Sequence, residues 1–311
     1  MSSTGGRVAA ILILAAGTMV IYAYGRVTRL DVERVTDDVH VIFGLGGNVG
    51  VLGTERGTVV VDTMTFTLQG REIRKRAEEI GGAPVTTLIN THYHIDHTHG
   101  NPAFPAGIKV VSTDRTLAYL RALDADYWGG KAGGTLPNET FENDHVIRIG
   151  GKTIRIHHLG RGHTDGDLVV IFAEDRVLHT GDLFFNGSYP NIDLEAGGSV
   201  REWGTTIDRM LELDFDVVIP GHGPVTDREG LRAFQRFIRE LAEVAGRAAA
   251  EGLTLEETLA SAEMRGDEGF EVMSIPFVMN LDRDFVLRRA WEEATGAVTP
   301  ISLPQLNRNG E

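Results

Sequence analysis

The sequence has no cysteine in its 311 residues. This excludes disulfides, thiolate metal sites and cysteine nucleophiles, and it leaves the redox compartment open. Basic residues are the scarcer charge, with 30 Lys and Arg against 44 Asp and Glu, a net charge of −14. A non-specific nucleic-acid binder needs a basic face, so no nucleic-acid partner is expected. Low-complexity linkers and internal repeats are also lacking, and nothing divides the chain. Hydrophobic residues at 42% and charged residues at 24% form an ordinary globular mixture, which excludes disorder throughout. Glycine is plentiful at 38 of 311 residues, about 12% against a usual ~7%. That excess points to many tight turns and loops.

One long apolar run is present. Residues 8–24 read VAAILILAAGTMVIYAY, seventeen residues without a charge, preceded by Arg7 and followed by Gly25, Arg26 and Arg29. Ala23-Tyr24-Gly25 fits a small-x-small cleavage site, and the run also reaches the ~17-residue lower limit of a membrane span. Residues 1–25 are therefore expected to be a signal peptide or an N-terminal membrane anchor. The protein is expected to be exported, periplasmic or anchored to the outer face of a bacterial inner membrane. A retained run would associate it with the membrane through residues 8–24. Residues 26–296 are expected to form one catalytic domain, helical from about residue 227, with 297–311 a loose tail.

Within that domain, strand-like runs at 39–43, 49–52 and 58–61 are separated by glycine-rich turns, which predicts antiparallel hairpins. A helix over 67–80 carries Ile73, Ala77 and Ile80 on one side, and strands follow at 84–89 and 108–111, then a helix at 114–123. Further strands are expected at 145–149, 153–158, 168–173, 176–179 and 216–219. Ser199-Val-Arg-Glu202 and Thr254-Leu-Glu-Glu257 read as capping boxes that open helices, the first running to about Leu213. Long helical patterns cover 227–250 and 282–294. Mixed strands with crossover helices predict an α/β (α+β) fold, two sheets with helices outside.

The histidines carry the chemistry. Residues 90–101 read NTHYHIDHTHGN, which places His92, His94, Asp96 and His97 within six positions. In extended chain, residues two apart point the same way, so His92 and His94 can reach one metal. The turn that follows puts Asp96 and His97 on a second side. Gly162-His163-Thr164, Thr180-Gly181-Asp182 and Pro220-Gly221-His222-Gly223 each adjoin a strand run, where loops gather and build sites. Five imidazoles and two carboxylates exceed the ~4 ligands of one zinc and suit two ions. The expected arrangement is His92, His94 and His163 on one ion, Asp96, His97 and His222 on the other, and Asp182 with a hydroxide between. Two ions, two carboxylates and one hydroxide leave about +1 for an anionic transition state, which suits a hydrolase. A purely structural zinc site is disfavoured, because such sites are closed and commonly use cysteine. His40, His145, His157, His158 and His179 read as packed or surface residues, and His99 as supporting or structural.

At these residues the chain resembles the metallo-β-lactamase superfamily. The matching pieces are Thr91-His-Tyr-His-Ile-Asp-His97, Gly162-His-Thr164, Thr180-Gly-Asp182, Pro220-Gly-His-Gly223 and the strand Val59-Val-Val-Asp62. The resemblance spans roughly 31–245 and implies a four-layer αββα sandwich of two mixed sheets with a two-metal site at one sheet edge. Asp62 reads as a turn-capping or supporting carboxylate. Asp182 stands where the β-lactamases usually carry Cys or Ser, and Leu183-Phe-Phe185 stands where many of them place a Lys. Asp182 resembles the glyoxalase II, lactonase and phosphodiesterase branches instead, and the two departures together make β-lactam hydrolysis secondary. Persulfide dioxygenases share the histidine motif with one iron.

The expected function is a dinuclear zinc hydrolase, with two Zn2+ per chain and iron or manganese as the alternatives. A metal-bridging hydroxide would attack an acyl centre of a small-molecule ester, thioester, lactone or lactam. The rival readings are a mononuclear iron oxygenase of the persulfide dioxygenase type and a phosphodiesterase. Asp96 and Asp182 are the expected catalytic carboxylates. Tyr189, in Phe184–Pro190, is expected to offer a hydrogen bond to an oxyanion, with packing as the plain alternative. The segment 124–137, with Tyr127 and Trp128 among glycines, is a second place where substrate could be selected, with packing as the plain alternative.

Overall fold

The computed structural model describes residues 24, 25, 27–275 and 279–300. The leader expected over 1–25 lies outside the described residues except for Tyr24 and Gly25, and the tail does so from residue 301. No helix among the described residues is long and apolar enough to cross a membrane.

Seven strands form the first sheet in chain order: β1 (Asp31–Arg34), β2 (Val39–Phe43), β3 (Val49–Thr54), β4 (Gly57–Val61), β5 (Val85–Ile89), β6 (Lys109–Thr113) and β7 (Glu139–Phe141). β1 to β4 pair antiparallel through hairpins, and β4 to β7 pair parallel. The second sheet contains β8 (Asp144–Ile149), β9 (Lys152–His157), β10 (Val169–Phe172), β11 (Val177–His179), β12 (Val217–Ile219) and β13 (Thr226–Asp227). Its order is β13-β12-β11-β10-β9-β8, and β11 and β12 are its parallel pair. A short hairpin, β14 (Met273–Ile275) and β15 (Met279–Leu281), stands apart.

Side chains alternate across each strand, so each sheet has two apolar faces to cover. Val59 and Val61 of β4 meet Val170 and Phe172 of β10 in a core between the sheets. Val60 turns the other way and packs with Ile73 and Ala77 of helix α1 (Thr67–Gly81). Val169 and Ile171 turn outward from the second sheet onto α5 (Val200–Leu211), α6 (Arg228–Glu251) and α8 (Arg283–Thr295). The result is a four-layer αββα sandwich. Between these elements lie α2 (Ile95–Thr98), α3 (Asp114–Leu123), α4 (Ala125–Trp128) and α7 (Leu255–Ser261).

The expected elements fall within about two residues of those observed. The strands absent from the sequence reading are short or polar. β1 reads Asp-Val-Glu-Arg and is exposed along its length, so it has no apolar alternation to reveal it. Ser199 accepts from Glu202 N–H as expected, but Glu202 does not return the bond, because its carboxylate is taken by Arg161 at 3.0 Å. Glu293 of α8 instead accepts from Ser199 Oγ and from the Val200 and Arg201 N–H groups. The box at Thr254 and Glu257 closes in both directions.

Candidate metal centre

The seven expected ligands converge on one edge of the sandwich. β5 ends at Ile89, and the chain then delivers His92 and His94 before α2 carries Asp96 and His97. His163 comes from the β9–β10 loop, Asp182 follows β11, and His222 follows β12. Three of these segments, after β5, β11 and β12, leave the carboxyl ends of parallel strands, the usual place for a ligand crevice in such sheets.

Two groups form. His92, His94, His163 and Asp182 bring one ligand atom each within 4.8 Å of one another, as do Asp96, His97 and His222. Asp182 faces both. Its Oδ2 lies 3.8 Å from His92 Nε2 and 3.5 Å from His163 Nε2. Its Oδ1 lies 3.1 Å from His97 Nε2 and 3.4 Å from His222 Nε2. Asp96 Oδ2 is 3.3 Å from His222 Nε2 and 3.7 Å from His97 Nε2.

Hydrogen bonds at the far side of each ring set its tautomer. His94 Nε2 donates to Asp193 Oδ2 at 2.9 Å, and His163 Nδ1 donates to Asn191 O at 2.8 Å. Their other nitrogens, both bare, face each other at 2.7 Å. Two lone pairs at that distance call for a cation or a proton between them. His92 Nδ1 donates to Thr91 Oγ1, which itself donates to Asp62 Oδ2, and His97 Nδ1 donates to the same Asp62 oxygen at 2.8 Å. His92 Nε2, His97 Nε2 and Asp182 Oδ1 are then buried without a hydrogen-bond partner. Orphaned buried groups of this kind are costly in a native protein unless an ion uses them. The nitrogen and oxygen donor set therefore fits bound metal, with Asp182 facing both groups.

The charges agree. Burial pulls His92 well below the usual histidine value and His163 down to about 4, so both keep a lone pair at neutral pH. Burial opposes charge on His222 as well, but the Asp182 and Asp96 carboxylates push it up to about 9, and the same carboxylates raise His97. Asp182 is held well below the carboxylate range against its burial, chiefly by His97 and His222.

Glycine is required at two points of close approach. A Cβ on Gly47 would lie 2.2 Å from His97 Cε1, and one on Gly221 would lie 2.2 Å from Asp182 Oδ1. A cavity of about 460 Å3 opens beside His222, lined by Asn48, Phe43, Pro224, Met273 and Glu33. A cleft of about 490 Å3 along Arg71, Arg74 and Glu78 lies on α1 and holds none of the metal-binding groups.

The sequence model of the metallo-beta-lactamase superfamily matches residues 42–222, which includes every one of these ligands. The chain belongs to the metallo-beta-lactamase superfamily. A metallo-beta-lactamase type 2 of Bacillus sp. strain 170 is 29% identical over 181 residues, 57% of this chain and 67% of that protein. A linear primary-alkylsulfatase of a Pseudomonas strain is 23% identical over 227 residues, 59% of this chain and 43% of that protein. The solved metallo-beta-lactamase from Pontibacter korlensis shares the fold, with a TM-score of 0.60, 23% identity and coverage of 68% of this chain and 99% of that one.

Around this superfamily site some side chains sit differently from the sequence reading. Tyr189 does not offer a free hydroxyl to an oxyanion. It is buried, its hydroxyl donates to Asp267 Oδ2 at 2.9 Å, and its ring packs on Phe237 and Phe270. Tyr127 and Trp128 belong to packing too. Tyr127 stacks on His99 at 3.6 Å and donates to His99 O, while Trp128 is buried with Leu120 and Ala132. His99 is structural, bonded to Asp124 at 2.6 Å. Asp62 supports the ligands, accepting from Thr91 N–H, Thr91 Oγ1 and His97. Asp193 escaped the sequence reading. It holds His94 from 99 positions away, and no local pattern marks it. His179 is buried, as read, and it ties the 44–48 loop to the site through Asn48 O at 3.2 Å.

Proposed function

We propose that this member of the superfamily is a dinuclear zinc hydrolase of small acyl compounds, an ester, thioester, lactone or lactam. One observation carries the reading: the two oxygens of Asp182 face two separate ligand groups. A zinc pair, when bound, supplies Lewis acidity and a water acidified from 15.7 towards ~7. His92, His94 and His163 would hold one ion, and Asp96, His97 and His222 the other. Asp62, Asn191 and Asp193 fix the rings that do so, and Asp96, 30% exposed, would also orient the nucleophile. The cavity beside His222 gives substrate an approach lined by Phe43, Pro224 and Met273.

An acyl substrate is favoured over nucleic acid by the net charge of −14. The apolar run at 8–24 supports export, to the periplasm or to an anchor on the outer face of the inner membrane. The testing experiment measures metal per purified chain alongside turnover on acyl and phosphodiester substrates. About two zinc ions per chain are expected, with acyl hydrolysis that Asp182→Ala abolishes. One iron per chain with oxygen uptake, or phosphodiester turnover alone, would overturn the reading.

A further inference from the structure

The family match ends at His222, yet α8, far downstream, reaches back to the metal centre. We propose that Arg289 of α8 is a positioning residue that holds the backbone at Asn191–Asp193, so that His163 and His94 present their bare nitrogens to one ion. The inference rests on the metal-centre reading above.

Arg289 is 1% exposed despite its charge. A buried guanidinium is costly unless paired and hydrogen-bonded. Glu292, also buried, supplies the counter-charge at 2.6 Å from Nη1, and Thr299 O accepts from the same nitrogen at 3.0 Å. With the group so fixed, its Nε donates to Ile192 O at 3.1 Å. Nη2 is buried with no hydrogen-bond partner among the described residues, so Nη1 and Nε fix the planar fork, which orients a carbonyl more rigidly than an ammonium can.

Ile192 lies between the two residues that orient the ligands. Asn191 O accepts from His163 Nδ1, and Asp193 Oδ2 accepts from His94 Nε2 and from Tyr93 Oη. A turn of the Ile192 peptide moves both acceptors together. The bonds from Asp193 N–H to His163 O and from Ala196 N–H to the Asp193 carboxylate tie the segment on its downstream side, and Arg289 supplies a side-chain donor at its centre. Only the ion held by His92, His94 and His163 depends on this path. His97 takes its support from Asp62 on the other sheet.

The test separates the two ions in the full chain by removing one ligand set at a time. Cobalt binding is measured by chelator competition and by its visible spectrum. An Asp96→Ala background reports the three-histidine ion, and a His163→Ala background reports the other. In the first background Arg289→Met should weaken binding about 10-fold or more and shift the cobalt band. In the second background it should leave affinity unchanged. Arg289→Lys keeps a charge for Glu292 and should restore part of the loss, and it carries the test if Arg289→Met does not fold. Glu293→Gln unpins α5 without touching Ile192 and should leave both ions at wild-type strength. Unchanged affinity and spectrum in the first background would overturn the proposal, as would equal losses in both backgrounds or the same loss from Glu293→Gln. An Asp96→Ala chain that binds no cobalt before any change at Arg289 would overturn the metal-centre reading, and this inference with it.

Discussion

Asp167 is a carboxyl 2% exposed, close to the metal centre but bonded to none of its ligands. It accepts from Thr164 N–H at 2.8 Å and from Thr164 Oγ1 at 2.5 Å. Burial still dominates and pushes it up to about 7. The unfolded chain's carboxyl titrates near 3.9, so the folded state binds this proton more tightly. Its contribution to stability is fully present below about pH 4 and is lost as the pH rises through about 7. The full shift corresponds to a few kcal/mol, about 4 at most. Asn at this position does not titrate. In chelator, urea unfolding should show wild type losing stability relative to Asp167→Asn between about pH 5 and 7.5. The metal-centre histidines are present in both proteins, so parallel pH profiles would reject a raised Asp167. At this scale the seven candidate ligands were legible because His92, His94, Asp96 and His97 cluster and His163, Asp182 and His222 each adjoin a glycine. Asp193 and Asn191 were not, because each acts across the fold on residues far away in the sequence. Tyr189 was misread because a tyrosine in a loop after Asp182 says nothing of Asp267, its partner 78 positions on.

The helices show how tertiary partners compete with local rules. Two sequences of the same pattern, Ser199–Glu202 and Thr254–Glu257, predict the same reciprocal cap, and only the second forms it. Thr254 opens a helix at the surface, where no cation among the described residues claims Glu257. At Ser199 the Arg161 guanidinium draws Glu202 away, and Glu293 of α8 brings a carboxylate to three donors at the start of α5. A negative group there also meets the positive end of the helix dipole. Ser199→Ala should therefore cost about 1 kcal/mol. Glu293→Gln should cost about 0.3–1 kcal/mol, and Glu202→Gln less, since its bridge to Arg161 is half exposed. Thermal or urea unfolding of the three variants gives the order, and a larger loss from Glu202→Gln than from Glu293→Gln would refute the observed cap. Strands buried on both faces, such as Val59–Val61, were legible as apolar runs between glycine turns. β1 and the two-residue β13 were not, because their pairing is set by neighbours and not by their own side chains.

The whole molecule is two sheets joined by an apolar core and, at one edge, by the metal centre. The first sheet contributes His92, His94, Asp96 and His97 through the segment after β5, and the second contributes His163, Asp182 and His222. Each ion would thus bond residues of both sheets, and binding that exists only in the folded arrangement adds to folding stability. An ion present at ~1,000 times its dissociation constant adds about 4 kcal/mol. At roughly 2–4 °C per kcal/mol for a domain approaching this size, chelation should lower the unfolding temperature by about 10 °C. The direction is fixed by the geometry: without ions, the bare nitrogens of His94 and His163 face each other and the nitrogens of His92 and His97 stay buried and unpaired. Differential scanning calorimetry with and without chelator measures the shift, and zinc added back should restore it. Asp182→Ala removes the one carboxylate that faces both groups, so its unfolding temperature should respond far less to chelator. An equal response in wild type and Asp182→Ala would mean that the stabilising ion sits elsewhere, and that the two sheets are not joined through Asp182 at this edge.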